Sequence, residues 1–191
     1  MNGYICQINS CALMSCVRVS CVRVLCALTI ALPISIAHAH EPGAHVHGVA
    51  SLAVAVDGKI LTLDFSGPLD NLLGFEHVPR TAKQQAAVNN MATQLRKAAQ
   101  LFAPSAAALC SSVSVKLESI VLDPKRKDEG DGHADIDGEY VLHCEHPEQL
   151  HDLELKLFDD FPNLHQMNVQ VAGPRGQTSA KLSSTQRRVS W

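Results

Sequence analysis

The histidines between positions 40 and 47 are the residues whose spacing most clearly suggests chemistry. The run 40–48 reads HEPGAHVHG and contains His40, His45 and His47. Residues two apart on an extended strand point to the same side, so the imidazoles of His45 and His47 would face a common point. Two such imidazoles can share a Zn²⁺ ion at about 2.0–2.1 Å each, and they need one or two further ligands from elsewhere. The spacing predicts a zinc site here; the alternative is that these are exposed histidines that bind no metal.

The segment 68–80, PLDNLLGFEHVPR, offers further groups for the same site. His77 could complete it as a third imidazole. Glu76 could accept a hydrogen bond from the far nitrogen of a ligating imidazole and so fix its orientation. The alternative for His77 is a buried, hydrogen-bonded side chain that anchors the start of the following helix. The apolar residues of this loop are predicted to pack against the sheet: Leu72, Leu73 and Phe75.

A third group of histidines and carboxylates lies in and after a polar surface loop, 123–135, with the sequence DPKRKDEGDGHAD. His133 with Asp135 and Asp137 would make a weak, exchangeable metal site. The alternative for His133 is a solvated loop residue without a ligand. Three further histidines are predicted to be surface residues: His146, His151 and His165.

Five of the seven cysteines lie in the first 26 residues, one every five positions, with no histidine or acidic residue among them. This segment carries two arginines, continues into the apolar stretch 24–37 and ends in Ala37-His38-Ala39. Together these features predict a secretory signal peptide over residues 1–39, with Met14 as an alternative start. The apolar stretch is shorter than the about 20 residues that a bilayer-spanning helix needs. No stable membrane insertion is therefore expected after the signal peptide is cleaved. The five cysteines therefore belong to the removed segment: Cys6, Cys11, Cys16, Cys21 and Cys26.

Removal of the signal peptide leaves residues 40–191, a length that suits a single domain and needs no metal or disulfide to fold. These residues carry 14 Lys and Arg against 19 Asp and Glu, a net charge of −5. That charge lacks the basic excess of a protein that binds nucleic acid. The two remaining cysteines, Cys110 and Cys144, most simply form one disulfide in an exported protein, worth about 3–4 kcal/mol. A metal site of Cys144 with His143 and His146 is the alternative.

Strand patterns dominate the elements that must position these residues. The fold class that they predict is α+β, with mostly antiparallel sheets, one long helix and one or more short helices. Apolar residues alternate over 49–56 and 59–65, and Asp57-Gly58 predicts a two-residue hairpin turn between them. The long helix is predicted over 81–102, where Thr81 and Gln84 form a capping box. Further strands are predicted over 112–122 (with Val113, Val115 and Leu117 on one face), 137–144, 152–158, 166–172 and 177–182, with a short helix from Pro147.

Two motifs carry a resemblance to a known family. AHVHGVASLAVAVDG at 44–58 and GPLDNLLGFEHVPRT at 67–81 are similar to the ZrgA-like periplasmic zinc-binding proteins of Gram-negative bacteria. The two cysteines and the later stretches LELKLFDDFPNL and VQVAGPRGQ also fit, so the resemblance covers nearly all of 40–191. It implies export to the periplasm, a link to growth on limiting zinc, and assistance to an ABC-type zinc importer or its binding protein.

The chain departs from this family in one place. Many members carry a long loop rich in His and Asp between the two cysteines, whereas 123–135 holds a single histidine, His133. Storage of many zinc ions by that loop is therefore not expected. The resemblance instead assigns the metal function to the folded site, for which His45, His47 and His77 are the matching residues.

The leading hypothesis is a periplasmic protein that binds zinc and buffers it or delivers it to an importer. Neutral imidazoles are the ligands, so binding should weaken as the pH falls through about 6–6.5. The alternative is a disulfide-stapled periplasmic interaction module without physiological metal binding. An enzyme is not expected, because the sequence has no His-Glu-x-x-His, Gly-x-Ser-x-Gly or phosphate-binding glycine motif. Sites of this kind also take Cu²⁺, Ni²⁺ and Co²⁺.

Overall fold

A computed structural model describes residues 46–123 and 134–191. All of them belong to one compact unit, His40–Trp191. The predicted signal peptide and the predicted ligands His40 and His45 lie outside the described residues. So do His133 and most of the polar loop.

Nine strands form two sheets in the described part of the chain. In the larger sheet the order is β4-β5-β2-β1-β7-β8, and every neighbouring pair is antiparallel except the parallel pair β1–β7. The smaller sheet has the order β3-β6-β9 and is antiparallel. The strands are β1 Val49–Asp57, β2 Ile60–Pro68, β3 Phe102–Pro104, β4 Cys110–Glu118, β5 Asp135–Cys144, β6 Asp152–Leu155, β7 Gln166–Gly173, β8 Gly176–Leu182 and β9 Arg188–Ser190.

Helices are few, so the chain is α+β with mostly antiparallel sheets, as predicted. In the described residues only α2 is longer than about one turn. The α-helices are α1 Asp70–Leu73, α2 Ala82–Leu95, α3 Ala98–Leu101 and α4 Leu157–Asp160. Short 3₁₀ turns occupy Ala106–Ala108, Ile120–Leu122 and Pro147–Gln149. None of the described helices is long and apolar enough to cross a membrane.

Helix α2 begins where its capping residues predict and ends earlier than its apolar pattern suggests. The Thr81 hydroxyl accepts a hydrogen bond from the Gln84 backbone N–H, and the Gln84 side chain accepts one from the backbone of Arg80. The predicted helix 81–102 stops at Leu95, because Lys97 leaves the helical region and α3 is a separate turn. Phe102 then pairs with Leu155 in the smaller sheet, which is incompatible with a helix continuing to that residue.

The core lies on one face of the larger sheet. Alternate residues of β1 and β2 are buried, and the predicted inward faces meet in register as the pairs Leu52–Phe65 and Val54–Leu63. Helix α2 adds Val88, Met91 and Leu95 to this core. The loop residues that were predicted to pack down are partly buried against it, as expected: Leu72, Leu73 and Phe75.

Three predicted boundaries are wrong for identifiable reasons. The β1–β2 turn is formed by Gly58 and Lys59 rather than Asp57-Gly58, since Asp57 still pairs with Ile60. The strand predicted over 112–122 ends at Glu118, and a register shift at 112–114 leaves Val113 63% exposed instead of on the inward face. The strand predicted over 152–158 ends at Leu155, where α4 follows.

The predicted disulfide joins Cys110 to Cys144. The two residues face each other across the β4–β5 pair. A cysteine in a disulfide has no thiolate to offer a metal. The alternative site of Cys144 with His143 and His146 is therefore excluded in the described structure.

Candidate functional site

His47 lies in a turn that leads into β1. The Val49 N–H donates to the carbonyl of Val46 at 3.0 Å, and Gly48 has φ +81°. That left-handed conformation interrupts the extended backbone before Val49, so His47 is not on the strand. The direction of the His47 side chain is set by this turn.

The imidazole of His47 lies between two carboxylates. Its Nδ1 is 3.3 Å from Oδ2 of Asp70, and its Nε2 is 3.4 Å from Oε1 of Glu76. The three side chains differ in burial: His47 is 60% exposed, Asp70 29% and Glu76 10%. One imidazole therefore contacts a carboxylate at each ring nitrogen, at the protein surface.

The β1–β2 hairpin explains why Asp70 reaches His47. The last β1–β2 pair is Ser51 with Ser66. Extending this register by four residues beyond the sheet places His47 opposite Asp70, the first residue of α1. Sequence analysis did not identify Asp70. The hairpin register could have identified Asp70, but only with the turn at Gly58 and Lys59. With the predicted turn at Asp57-Gly58, the residue opposite His47 would be Pro68.

Gly48 allows a second histidine to pack against the same turn. A Cβ at Gly48 would lie 2.6 Å from Cδ2 of His165, so the His165 ring occupies the space that a side chain would need. The backbone N–H groups of His165 and Gln166 both donate to the Gly48 carbonyl, at 2.8 and 2.9 Å. The turn is thus tied to the start of β7 as well as to α1.

His77 is held by groups of its own segment. Its Nδ1 lies 2.9 Å from the carbonyl oxygen of Val78, and its ring centre lies 5.2 Å from that of Phe75. If Nδ1–H donates to that carbonyl, Nε2 is the nitrogen that could bind a metal. Across residues 46–123 and 134–191, no group of three or more His, Cys, Asp or Glu side chains is placed to hold a metal ion. His47, Glu76 and His77 therefore do not form such a group.

The distances around His47 nevertheless fit two ligands on one zinc ion. Nitrogen and carboxylate oxygen bind zinc at about 2.0–2.2 Å, so two such atoms on a tetrahedral ion lie about 3.3–3.5 Å apart. The separations at Nδ1 and Nε2 are 3.3 and 3.4 Å. Strong hydrogen bonds between a charged N–H and a carboxylate are shorter, about 2.7–2.9 Å. Either carboxylate could share an ion with His47 while the other contacts the opposite ring nitrogen.

Among the remaining predicted residues, Asp135 pairs with Pro68 across the β2–β5 pair, two residues before Asp70. Asp135 and Asp137 are the first and third residues of β5, and Asp137 is exposed. His146 and His151 are exposed, as predicted, with carboxylate neighbours at 3.5 Å (Glu148) and 3.0 Å (Asp152). His165 is also exposed.

One family model matches the chain. Its description is "ZrgA family zinc uptake protein", and the match covers residues 44–191. That range contains every predicted metal ligand except His40, and it contains Asp70, Glu76 and both disulfide cysteines. No curated protein matches the chain.

Proposed function

The chain belongs to the ZrgA family of zinc uptake proteins, and on that premise we propose that it binds Zn²⁺ in the periplasm and buffers it or delivers it to a zinc importer. Zinc is the cargo in this proposal. The observation that carries it is the position of His47, whose two ring nitrogens each lie within 3.4 Å of a carboxylate oxygen. Such pairs of imidazole and carboxylate are common in zinc sites.

The two carboxylates have different roles in this proposal. Asp70 is more exposed than Glu76, so an ion at Nδ1 and Asp70 is easier to reach from solvent. Glu76 then contacts the opposite ring nitrogen, Nε2, at 3.4 Å and supports the ring from that side, which is the role predicted for it from the sequence. His45, two residues before His47, remains a predicted ligand, as does His77 through Nε2. His40 and His133 remain predicted auxiliary ligands.

An exposed site suits exchange better than permanent retention. An importer or its binding protein can approach a zinc ion at a half-exposed histidine and replace its ligands one at a time. Residues 40–191 carry a net charge of −5, which attracts a divalent cation. We propose that the chain is exported through the segment 1–39. We propose binding rather than catalysis, because the sequence has no His-Glu-x-x-His or Gly-x-Ser-x-Gly motif.

Calorimetric titration with Zn²⁺ at pH 7.4 tests the proposal. The full chain is expressed in a Gram-negative host and purified from the periplasm with its disulfide intact, so that recovery there also tests export. We expect about one ion per chain with sub-micromolar affinity, and a loss of at least about tenfold in His47→Ala. His146→Ala is the matched control, because His146 is also an exposed histidine beside a carboxylate, and it should bind like the wild type.

The second candidate function is the interaction module. The observation that favours it is that no three potential ligands converge within the described residues. Under this alternative the wild type binds zinc no better than about 0.1 mM, or His47→Ala leaves the affinity unchanged. The first result overturns the zinc-carrier proposal, and the second removes the proposed site at His47.

A further inference from the structure

Asn71 stands out because it is a buried polar residue beside the proposed site. Within the described residues only Asn71 and Ser105 are buried and polar, and Asn71 is 1% exposed. It follows Asp70 directly in α1. A buried amide is costly unless its donor and acceptor both find partners. The hydrogen-bond partners of the Asn71 amide therefore indicate its structural role.

Both ends of the Asn71 amide bind the backbone next to His47. The side-chain oxygen accepts a hydrogen bond from the Gly48 N–H at 2.6 Å, and the side-chain N–H donates to the Val49 carbonyl at 2.9 Å. Strand β2 pairs with β1 only as far as Ser51–Ser66. Asn71 thus binds two backbone groups that lie beyond the last β1–β2 pair.

The consequence is a direct link between the two halves of the site. His47 immediately precedes Gly48, and Asp70 immediately precedes Asn71, so the two hydrogen bonds join the backbones that carry the imidazole and the carboxylate. Without them, the turn that carries His47 would be joined to α1, within the described residues, only through the contact between the exposed His47 side chain and the partly buried Asp70 side chain. Surface side chains hold their geometry poorly unless the groups that support them are fixed.

We infer that Asn71 is the positioning residue of the zinc site: it touches no ion itself and sets the distance between His47 and Asp70. This inference rests on the proposed function. It goes further by assigning a role to a residue that neither its type nor its spacing marks as a metal ligand. It also explains why a buried asparagine is present in a one-turn helix, where an apolar residue would pack more easily.

Asn71→Ala and Ser105→Ala form a matched pair of variants. Ser105 is the other buried polar residue, and its hydroxyl likewise serves two backbone N–H groups, those of His151 and Asp152, at 3.1 Å each. Both variants should lower the melting temperature. Only Asn71→Ala should lower zinc affinity, by about 10–100-fold, as expected when support for a ligand is removed; Ser105→Ala should change it less than about threefold. Asn71→Ser, which keeps a small polar group but cannot span both backbone groups, is the second variant if Asn71→Ala does not fold.

The titrations are run on protein expressed from the full chain and purified from the periplasm, alongside wild type and His47→Ala, with the folded fraction measured by circular dichroism. The inference is supported if the folded Asn71 variants lose zinc affinity and Ser105→Ala does not. It is overturned if wild type binds zinc through His47 while the folded Asn71 variant keeps full affinity, or if both members of the pair lose affinity equally. If His47→Ala binds like the wild type, the proposed zinc site itself has failed, and the role of Asn71 with it.

Discussion

Replacing Gly48 with alanine tests whether the turn that carries His47 requires a residue without a side chain. Gly48 has φ +81°, where a Cβ strains the backbone by about 1–2 kcal/mol. The new Cβ would also lie 2.6 Å from Cδ2 of His165. Because His165 is exposed, its ring can be displaced at a cost of about 1 kcal/mol. We therefore expect Gly48→Ala to lower the free energy of unfolding by about 2–3 kcal/mol.

Gly58→Ala separates the cost of backbone strain from the cost of displacing the His165 ring. Gly58 also has a positive φ, +54°, but nothing lies within 4 Å of its Cβ position, so only the backbone strain of about 1–2 kcal/mol applies. The double variant Gly48→Ala/His165→Ala removes the displaced ring and should cost no more than Gly58→Ala. Urea unfolding followed by circular dichroism gives each free energy, provided that the slope against urea is unchanged.

Zinc binding at the proposed site supplies an independent readout of the same change. Displacing the turn moves His47 relative to Asp70, so Gly48→Ala should weaken zinc binding, whereas Gly58→Ala, at the other end of the β1–β2 hairpin, should not. Equal stability losses in Gly48→Ala and Gly58→Ala would refute the packing argument. So would a double variant in which the loss of the His165 ring recovers none of the difference.

Two further predictions concern stability away from the site. Replacing Cys110 and Cys144 together with serine should lower the free energy of unfolding by about 3–4 kcal/mol, since the disulfide closes a loop with a sequence separation of 34. Zinc affinity should not change, because the Cys144 backbone N–H donates to the Lys59 carbonyl at the turn end of the hairpin, away from His47. Urea unfolding measures the stability loss and zinc titration measures the affinity. A stability loss below about 1 kcal/mol would contradict the estimate. Partial loss of hydration, and then the facing Glu139, raise the pKa of Asp64 above its usual value. The folded state therefore binds this proton more tightly than the unfolded chain does, and it loses stability as Asp64 ionises with rising pH. Asp64→Asn should therefore gain about 0.2–1 kcal/mol at pH 7, toward the low end because Asp64 is exposed, and the gain should shrink at pH 3.5; an equal gain at both pH values would contradict this assignment.

The hairpin and the faces of the central strands could be predicted because they depend on local alternation. Leu52 and Val54 of β1 and Leu63 and Phe65 of β2 are buried where the period of two requires them. Errors arose where a distant partner decides the conformation. Phe102 fits the helical pattern of α2, but its pairing with Leu155 takes it into the smaller sheet. No local pattern near Phe102 contains that information.

The site was predictable only in part, for a related reason. His47 and Glu76, which residue type and spacing had singled out, contact each other in the candidate site. Asp70 was missed because its proximity to His47 depends on the position of the hairpin turn, and a turn displaced by one residue moves every cross-strand partner by two. Nothing in the sequence around Asn71 marks it as part of the candidate site, because its role depends on the two backbone groups that it binds.

The same geometry bears on how a member of a zinc uptake family can work without a histidine-rich loop. A loop with many histidines gives capacity, whereas the loop 123–135 has only His133. In the proposed site, affinity comes instead from a few side chains held by the fold, and the β1–β2 register and the Asn71 amide supply that rigidity. Fewer ligands at a half-exposed histidine also leave room for an incoming ligand, so release to a partner need not await unfolding. A zinc stoichiometry near one therefore distinguishes a carrier of this kind from a storage protein.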